Sequence, residues 1–446
     1  MKKITINDKE SGIWKRSALA FLLLIAINPM NIHSQSSYFI KDPEGFNFIL
    51  QVKTDGNVIN GFTREKAILD YTSKLQYKMI KAVSSLEYPE IIRFQGTMFG
   101  YDFEGAYSYL FSSYKVIGKI NGDSISYSLY DKSDKIYKSF KGAKVTNYVK
   151  KDYDKLVDEV IQLTEDNIFD PRILQTKKWE SFKKKMKEAA PGISDDLEFQ
   201  VGHYALVRGF DFSHYYLVSN APSSTAQDDI SLKEIDDSTA LLKIGSFLKG
   251  SERIKALLDT IQLKEYKNLI IDLRGNPGGN FTSTSTVANF LTDKNFISGF
   301  FPNRQWYEEY KRLPNESDLD KFSLIDGDSI QKESSYGFYI QSKGIDTPYK
   351  GNVYFLVNRK TGSSAEALTI GAKEYHLATI VGQKTAGGLL SAKRFKLDND
   401  ISLIVPVNDF ISFKGYRVDK KGVEPDIETK VGEELERAIK LIKSIK

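Results

Sequence analysis

The feature that most constrains the fold of this sequence is an alternation of strand-like and helix-like segments that begins near residue 238. Apolar strand-like segments occur at residues 240–245, 268–273, 353–357 and 378–381. Helical periodicity occurs between and after them, at residues 252–261, 282–291, 363–375 and 433–445. Strands that are apolar on both faces need a covering layer on each side, and intervening helices supply it. The pattern therefore predicts an α/β fold built on a mainly parallel sheet.

Three further regions are recognisable around this alternation. Residues 297–349 interrupt it and are rich in Tyr, Phe and Asp, which predicts an insertion over the site within a core that spans 238–446. Residues 146–237 contain amphipathic helical patterns and are predicted to form a helical cap segment. Residues 36–145 are predicted to form a small α+β domain with a β-meander, since they combine a helical pattern with alternating strand-like segments around a strong turn signal.

The first 34 residues have the pattern of a secretory signal peptide. The basic pair Lys15-Arg16 precedes an apolar run at residues 18–27, followed by polar residues. A helix of this length is about 15 Å long, which is about half the thickness of the hydrocarbon core of a bilayer. A buried core helix is the less favoured alternative. We therefore expect residues 1–34 to be removed and the protein to be exported, periplasmic or extracellular, without stable membrane insertion.

Composition excludes several classes of chemistry. The chain contains no cysteine, so disulfide scaffolds, thiolate metal sites, iron–sulfur clusters and cysteine nucleophiles are ruled out. The formal net charge is +5, and a net three of these charges lie within residues 2–16, so a processed chain is close to neutral. This balance argues against nucleic acid as a partner. The sequence implies no metal or cofactor.

A glycine-containing loop follows the strand-like segment 268–273. Gly278 and Gly279 leave their backbone N–H groups unobstructed, and the helix that follows adds partial positive charge at its N-terminus. Such a loop can bind a phosphate or form an oxyanion hole for acyl transfer. Neither a P-loop nor a dinucleotide fingerprint is present, and a tight turn that binds nothing is also compatible with the residues.

A second strand-to-helix junction carries Ser363. A serine at the start of a helix that follows a central parallel strand is well placed to act as a nucleophile, because the helix dipole stabilises developing negative charge. The spacing Ser363-x-x-Glu366 also fits a capping box, in which the serine only caps the helix. The two roles can coexist, and the residues alone do not separate them.

A serine nucleophile needs a base, and three histidines follow the predicted signal peptide: His203, His214 and His376. His376 lies thirteen residues after Ser363 on the predicted helix, which places it about 20 Å away. His203 and His214 therefore remain as candidates. A hydrogen-bonded histidine packed among tyrosines is the alternative reading of His214.

Four motifs occur in a characteristic order. They are IDLRGNPGG at 271–279, TGSSAE at 361–366, VGQKTAGG at 381–388 and GVEPD at 422–426. With these motifs, residues 238–427 resemble the serine peptidase family of carboxyl-terminal processing (tail-specific) proteases and the tricorn core protease. The resemblance implies a crotonase/ClpP-like catalytic core. It also implies Ser363 as the nucleophile, with an oxyanion hole formed by the amide of Gly278 or Gly279 together with that of Ser364.

The resemblance also indicates which branch of the family applies. Processing proteases carry a lysine base in the third motif, where this sequence has Gly388. The tricorn branch instead uses a Ser-His pair upstream of the core, which Ser213-His214 matches in type and order. That branch adds a carboxylate near the last motif that orients the site. Asp419 is the candidate for this carboxylate, with Glu424 as the alternative.

Many relatives carry a PDZ domain before the core, and this sequence leaves no room for one. Only about 25 residues separate His214 from Ala240, far fewer than a domain requires. Substrate tails must then be held by the core, by residues 297–349 or by the N-terminal domain.

The function expected from these features is that of an exported serine peptidase. It would hydrolyse peptide or protein substrates, including C-terminal tails, through an acyl-enzyme. Two alternatives stay open. One is a non-catalytic protein on the same fold that binds peptides or hydrophobic ligands and uses Ser363 as a helix cap. The other is an acyl-transfer enzyme or acyl hydrolase on the related crotonase-like fold.

Overall fold

The computed structural model describes residues 34–63, 92–109, 112–146, 148–222, 229–326, 329–330 and 335–444. Nearly all of the predicted signal peptide, and the helical pattern of the N-terminal domain, lie outside these ranges. No helix within them is long and apolar enough to cross a membrane. The chain divides into two compact units, and each is described by itself.

The first unit is a closed eight-stranded sheet. Its strands are β1 (Ser34–Lys41), β2 (Phe48–Asp55), β3 (Val58–Phe62), β4 (Ile92–Phe99), β5 (Asp102–Tyr109), β6 (Ser112–Ile120), β7 (Ser124–Tyr130) and β8 (Ile136–Lys144). From β2 to β8 each strand pairs antiparallel with the next. The turn predicted at Asn121-Gly122 joins β6 to β7, and Gly122 has the positive φ of +79° that such a turn requires. Aromatic rings fill the interior, where Phe94 stacks on Phe103 with centroids 5.3 Å apart.

Between residues 148 and 222, which the structure describes without a gap, the second unit contains three α-helices. They are α1 (Tyr153–Asn167), α2 (Lys177–Ala189) and α3 (Asp196–Val207). Each begins after a side chain that accepts a hydrogen bond from the first turn, namely Asp152, Thr176 and Asp195. Their apolar faces pack against an antiparallel sheet in the order β19 (Ser391–Lys396), β20 (Ile401–Asn408), β9 (Tyr216–Ser219). The segment between α3 and β9, which contains Ser213-His214, packs into the same core through Phe210, Phe212 and Tyr215.

A six-stranded sheet forms the centre of the second unit. Its order is β10 (Ile230–Asp236), β11 (Thr239–Ile244), β12 (Asn268–Asp272), β17 (Asn352–Val357), β18 (Thr379–Gly382), β22 (Ile427–Glu428), and every pair except β10–β11 is parallel. Helices α4 (Ser251–Leu263), α5 (Phe281–Phe290) and α7 (Ser364–Glu374) cover the face of Ile271 and Phe355, and α8 (Glu434–Ser444) covers the face of Ile270 and Leu356. The predicted α/β core with a mainly parallel sheet is therefore confirmed.

The described part of the stretch predicted as an insertion contributes four strands to a further sheet. Its order is β15 (Ser329–Ile330), β14 (Ser323–Asp326), β16 (Gly337–Ser342), β13 (Phe296–Pro302), β21 (Ile411–Ser412), and helix α6 (Arg304–Glu309) follows β13. Phe300 and Trp306 of this stretch are buried in the same core as α1, α2 and α3. The stretch interrupts the βα alternation because its strands bond to one another and to β21, not to the parallel sheet.

Candidate active site

Two loops meet at the carboxyl end of the parallel sheet. Strands β12 and β17 are parallel neighbours with Asp272 opposite Leu356, so the segments that follow them leave the sheet at the same edge. The amide of Gly362 donates to the carbonyl oxygen of Asn276 at 2.9 Å. This bond joins the glycine loop after β12 to the serine segment before α7.

Ser363 stands at the start of α7 in an unusual backbone conformation, with φ +53° and ψ −127°. A positive φ is uncommon for a residue with a side chain, and a helix N-cap ordinarily has extended backbone. Its amide donates to the carbonyl oxygen of Gly388 at 3.0 Å and to Oε2 of Glu366 at 3.1 Å. The capping hypothesis accounts for the bond to Glu366 but not for the strained conformation, which is typical of functional positions.

Glu366 is a buried carboxylate that ties α7 to the segment 385–388. Its Oε1 accepts from Thr385 Oγ1 at 2.5 Å and from the amide of Gly387 at 2.7 Å, and its Oε2 accepts from the amide of Gly388 at 2.8 Å. Burial raises the pKa of Glu366, although these donors act in the opposite direction. The sequence pattern indicated only a helix cap here, because the partners lie 19 or more positions further along the chain.

Backbone amides of the glycine loop and of α7 lie around Ser363. Gly278 has φ +99°, and a β carbon added to it would lie 2.7 Å from Ser363 Cβ and 2.9 Å from the amide nitrogen of Ser364. This position therefore requires glycine. The Gly278 amide donates to Oδ1 of Asn276 at 2.8 Å. Within the described residues the amides of Gly279 and Ser364 have no acceptor, so both are available to donate a hydrogen bond.

Ser213, His214 and Asp419 form a chain of hydrogen bonds. The Ser213 hydroxyl donates to Oδ1 of Asp419 at 2.5 Å and lies 2.7 Å from Nδ1 of His214. Asp419 is buried, and its Oδ2 accepts from the Ser213 amide at 3.0 Å, with Nη2 of Arg417 at 3.9 Å. Because the Ser213 proton goes to the carboxylate, its oxygen accepts the proton of His214 Nδ1. The lone pair of the neutral imidazole is then on Nε2.

The surroundings of His214 favour its neutral form. Burial lowers the pKa of His214 below its usual 6.5, more than the charge of Asp419 raises it, and Lys420 adds to the lowering. His214 also has a positive φ of +55°. A neutral, oriented imidazole of this kind can accept a proton near neutral pH.

Gly388 borders both Ser363 and His214. Its carbonyl oxygen accepts from the Ser363 amide at 3.0 Å, and a β carbon added to it would lie 4.0 Å from Cε1 of His214. This is the position that corresponds to the lysine base of the processing proteases, according to the resemblance described above. A side chain at residue 388 would therefore begin beside the imidazole of His214.

The alternative candidates from the sequence, Glu424 and His203, lie outside the hydrogen-bonded group of Ser213, His214 and Asp419. The carboxylate of Glu424 is exposed and pairs with Lys384 at 2.6 Å. His203 is buried in α3 between the rings of Phe182 and Tyr215, and burial lowers its pKa to about 3. In the part of the chain that the structure describes, no three His, Asp or Glu side chains are grouped to hold a metal ion.

The charged residues of the first motif hold the glycine loop in place. Arg274 donates to both oxygens of Asp272, at 2.8 and 2.7 Å, and its Nη1 lies 2.8 Å from Oε2 of Glu434 in α8. Both carboxylates are buried. These residues therefore link the loop to the last helix and do not belong to the serine-histidine group.

Comparison with known proteins identifies sequences and structures that are similar to parts of this chain. Residues 238–429 match the sequence model of peptidase family S41. The tail-specific protease of Haemophilus influenzae is 28% identical over 198 residues, which are 42% of this chain and 24% of that protein. The carboxy-terminal processing protease CtpA of Bacillus subtilis is 22% identical over 357 residues, 67% of this chain and 69% of that protein. A lipoprotein structure from Streptococcus agalactiae aligns with 67% of this chain and 99% of its own, at a TM-score of 0.47 and 17% identity.

Proposed function

Because residues 238–429 carry a peptidase family S41 domain, we propose that this chain is a serine peptidase that hydrolyses peptide bonds through an acyl-enzyme. Ser363 is the nucleophile and His214 is its general base. The amide of Gly278 or Gly279, together with that of Ser364, holds the oxyanion. The core, on this proposal, is of the crotonase/ClpP-like type.

In the first half of the reaction, Nε2 of His214 takes the proton of the Ser363 hydroxyl as its oxygen attacks the substrate carbonyl carbon. The carbonyl oxygen gains negative charge, which the backbone amides and the N-terminal end of α7 stabilise. His214 then gives its proton to the leaving amine, and the acyl group stays on Ser363 as an ester. In the second half, His214 takes a proton from a water molecule as its oxygen attacks the ester carbonyl carbon. The bond from the acyl carbon to the Ser363 oxygen then breaks, His214 returns the proton to that oxygen, and the acid product leaves.

Ser213 and Asp419 act on this reaction through His214. Their hydrogen bonds keep the proton on Nδ1, so that Nε2 is free to accept one, and the carboxylate offsets the positive charge that the ring acquires. The single observation that carries the proposal is this partly buried chain of hydrogen bonds, which ends at an imidazole beside Gly388, the residue bonded to Ser363.

The test replaces Ser363 and His214 separately by alanine. Each variant should lose at least about 10³-fold in kcat, because the two side chains act as one unit. A fluorophosphonate probe should label the wild-type protein and not Ser363→Ala. Ser364→Ala is the matched control, since it keeps the backbone amide and removes a buried hydroxyl without a partner among the described residues. Unchanged peptide hydrolysis in both alanine variants would end the proposal, and absent labelling of the wild type would favour a binding protein.

Export is a further part of the proposal. The signal-like pattern of residues 1–34 supports it. Fractionation of the native host followed by N-terminal sequencing should find the protein outside the cytoplasm with a first residue near 35. A cytoplasmic protein that retains residues 1–34 would contradict this part alone.

The substrates proposed are peptides or proteins that include C-terminal tails, as the names of the two relatives suggest. Matched peptides with a free or an amidated C-terminus test this point. Faster cleavage of the free acid is expected if the terminal carboxylate is recognised. Equal rates would remove tail recognition and leave the peptidase proposal in place.

A further inference from the structure

Strand β19 begins near the candidate site and forms one edge of a three-stranded sheet. It begins at Ser391, three residues after Gly388, whose carbonyl oxygen accepts from the Ser363 amide. Within the described residues β19 pairs only with β20, so the outer edge of β19 presents unpaired backbone groups. Such an edge is a template on which an extended peptide can form an additional strand.

The same strand carries three exposed cations, Lys393, Arg394 and Lys396. In the described part of the chain, none of the three has a carboxylate within ion-pair distance. Arg394 Nη2 donates to Oδ1 of Asn220 at 2.7 Å, and Lys396 Nζ donates to Oδ1 of Asn399 at 3.1 Å. These partners are neutral, so the positive charge of β19 is not compensated locally.

Positive charge continues from β19 to the site itself. Lys420 is exposed, follows Asp419 directly and is close enough to His214 to influence its titration. Its backbone amide donates to the carbonyl oxygen of Gly387 at 2.7 Å. A peptide that lies along β19 therefore meets the three cations of that strand, and the candidate site at its start has Lys420 near His214.

The length of β19 determines which part of a substrate would face these cations. An extended strand advances about 3.3 Å per residue. Lys393 lies five residues after Gly388 and Lys396 lies eight residues after it. An extended peptide bound alongside covers the same distance in the same number of residues.

We propose that the substrate binds as an additional strand on the free edge of β19, and that the enzyme selects acidic residues five to eight positions from the scissile bond. This inference rests on the proposed function of Ser363. Backbone bonds to β19 supply affinity that does not depend on sequence, and the cations select the charge of the segment. An extended segment rich in lysine is repelled.

The experiment uses matched peptides that differ only in a four-residue block of Glu, Gln or Lys, placed five to eight positions from one cleavable bond. The block is placed on either side of that bond in separate peptides. The wild type should cleave the Glu peptide about tenfold faster, in kcat/KM, than the Lys peptide on one side, and high salt should reduce this ratio. No preference on either side would overturn the inference.

The variant Lys393→Glu/Lys396→Glu should reverse the preference. Lys233→Glu is the matched control, because Lys233 is an exposed lysine on β10, the edge strand of another sheet. The control should keep the wild-type ratio. An unchanged ratio in the double variant, or the same change in the control, would overturn the role of β19.

Binding to the Ser363→Ala protein separates this inference from the proposed function. Fluorescence anisotropy should show tighter binding of the Glu peptide, and Lys393→Glu/Lys396→Glu in the same background should remove the advantage. N-methylation of alternate peptide amides should weaken binding in one register and not in the other, since only alternate amides face β19. Equal effects in both registers would overturn the added strand. Ser363-dependent cleavage without charge preference would refute this inference alone, whereas absent cleavage of every peptide would refute the proposed function.

Discussion

At the scale of single residues, surroundings decide what two similar side chains can do. His203 and His214 are histidines whose pKa values burial lowers. Within the described residues, both ring nitrogens of His203 lack a hydrogen-bond partner, whereas Nδ1 of His214 is bonded to Ser213. Only His214 therefore has a tautomer and an orientation that its neighbours determine.

The role of Asp419, which is hydrogen-bonded to His214 through Ser213, can be tested by Asp419→Asn. We expect kcat to fall about 10²- to 10⁴-fold with little change in KM, because an amide that donates to Ser213 reverses the hydrogen bonds and favours the wrong tautomer of His214. Glu424→Gln is the matched control, since Glu424 pairs with Lys384 at the surface. Steady-state kinetics measure kcat and KM of both variants. Equal losses of kcat in Asp419→Asn and Glu424→Gln would contradict the assignment of Asp419.

The pH dependence of kcat/KM tests the protonation state of His214. The base works only when neutral, so activity should fall as the pH drops through its pKa, with a midpoint below 6.5. Lys420→Gln removes a charge that lowers this pKa, so the acid limb should move to higher pH. Lys421→Gln is the control, as its ammonium lies over the ring of Tyr416. A wild-type midpoint above 6.5, or an unmoved limb in Lys420→Gln, would argue against His214 as the base.

At the scale of elements, a buried carboxylate, Glu366, and a partly buried one, Glu374, stand near opposite ends of helix α7. Glu366 bonds to Ser363 and to the segment 385–388, whereas Glu374 accepts from the hydroxyl of Ser412 at 2.5 Å. Burial raises the pKa of both. The two positions therefore allow the effect on the site to be separated from the effect on the fold.

Glu366→Gln should lower the free energy of unfolding by about 1–3 kcal/mol, because the NH₂ group of the glutamine cannot accept from the backbone amides that now donate to the buried carboxylate. Glu374→Gln should destabilise the protein less, since its amide oxygen can still accept from the Ser412 hydroxyl. Only Glu366→Gln should also lower kcat, by about 10- to 100-fold, because it loosens the start of α7 against the segment that adjoins His214. Denaturant unfolding and kinetics measure the two effects. A similar loss of kcat in both variants would show that Glu366 contributes to stability and not to positioning.

At the scale of the whole molecule, Arg274 connects the loop after β12 to Glu434 in α8, which is 160 positions away in sequence. Arg274→Ala leaves two buried carboxylates without their cation, so the free energy of unfolding should fall by about 3 kcal/mol. Lys440→Ala, which removes an exposed pair with Glu436, should cause no measurable change. Equal stabilities of these two variants in denaturant would show that the link contributes nothing.

The regular part of the fold could be predicted because its signals are local. Helix and strand periods, apolar runs and the turn at Asn121-Gly122 are signals that depend on a few neighbouring residues. The periods and apolar runs predicted the α/β core and the order of its elements along the chain. Strand β20 is a contrary case. It contains Pro406, which has no amide for a ladder and weakens the strand signal, yet the strand is paired on both sides.

The sequence by itself determined the chemistry available to this protein: a serine at a helix start, glycines in a loop, few histidines and no cysteine. Only the tertiary structure decided which of these groups meet. Ser213 and Asp419 are bonded across 206 positions of chain, and Glu366 reaches Gly388 across 22. Residue spacing cannot specify such contacts, because they depend on how separate sheets and helices pack. That packing also determines burial, and therefore the pKa of His214.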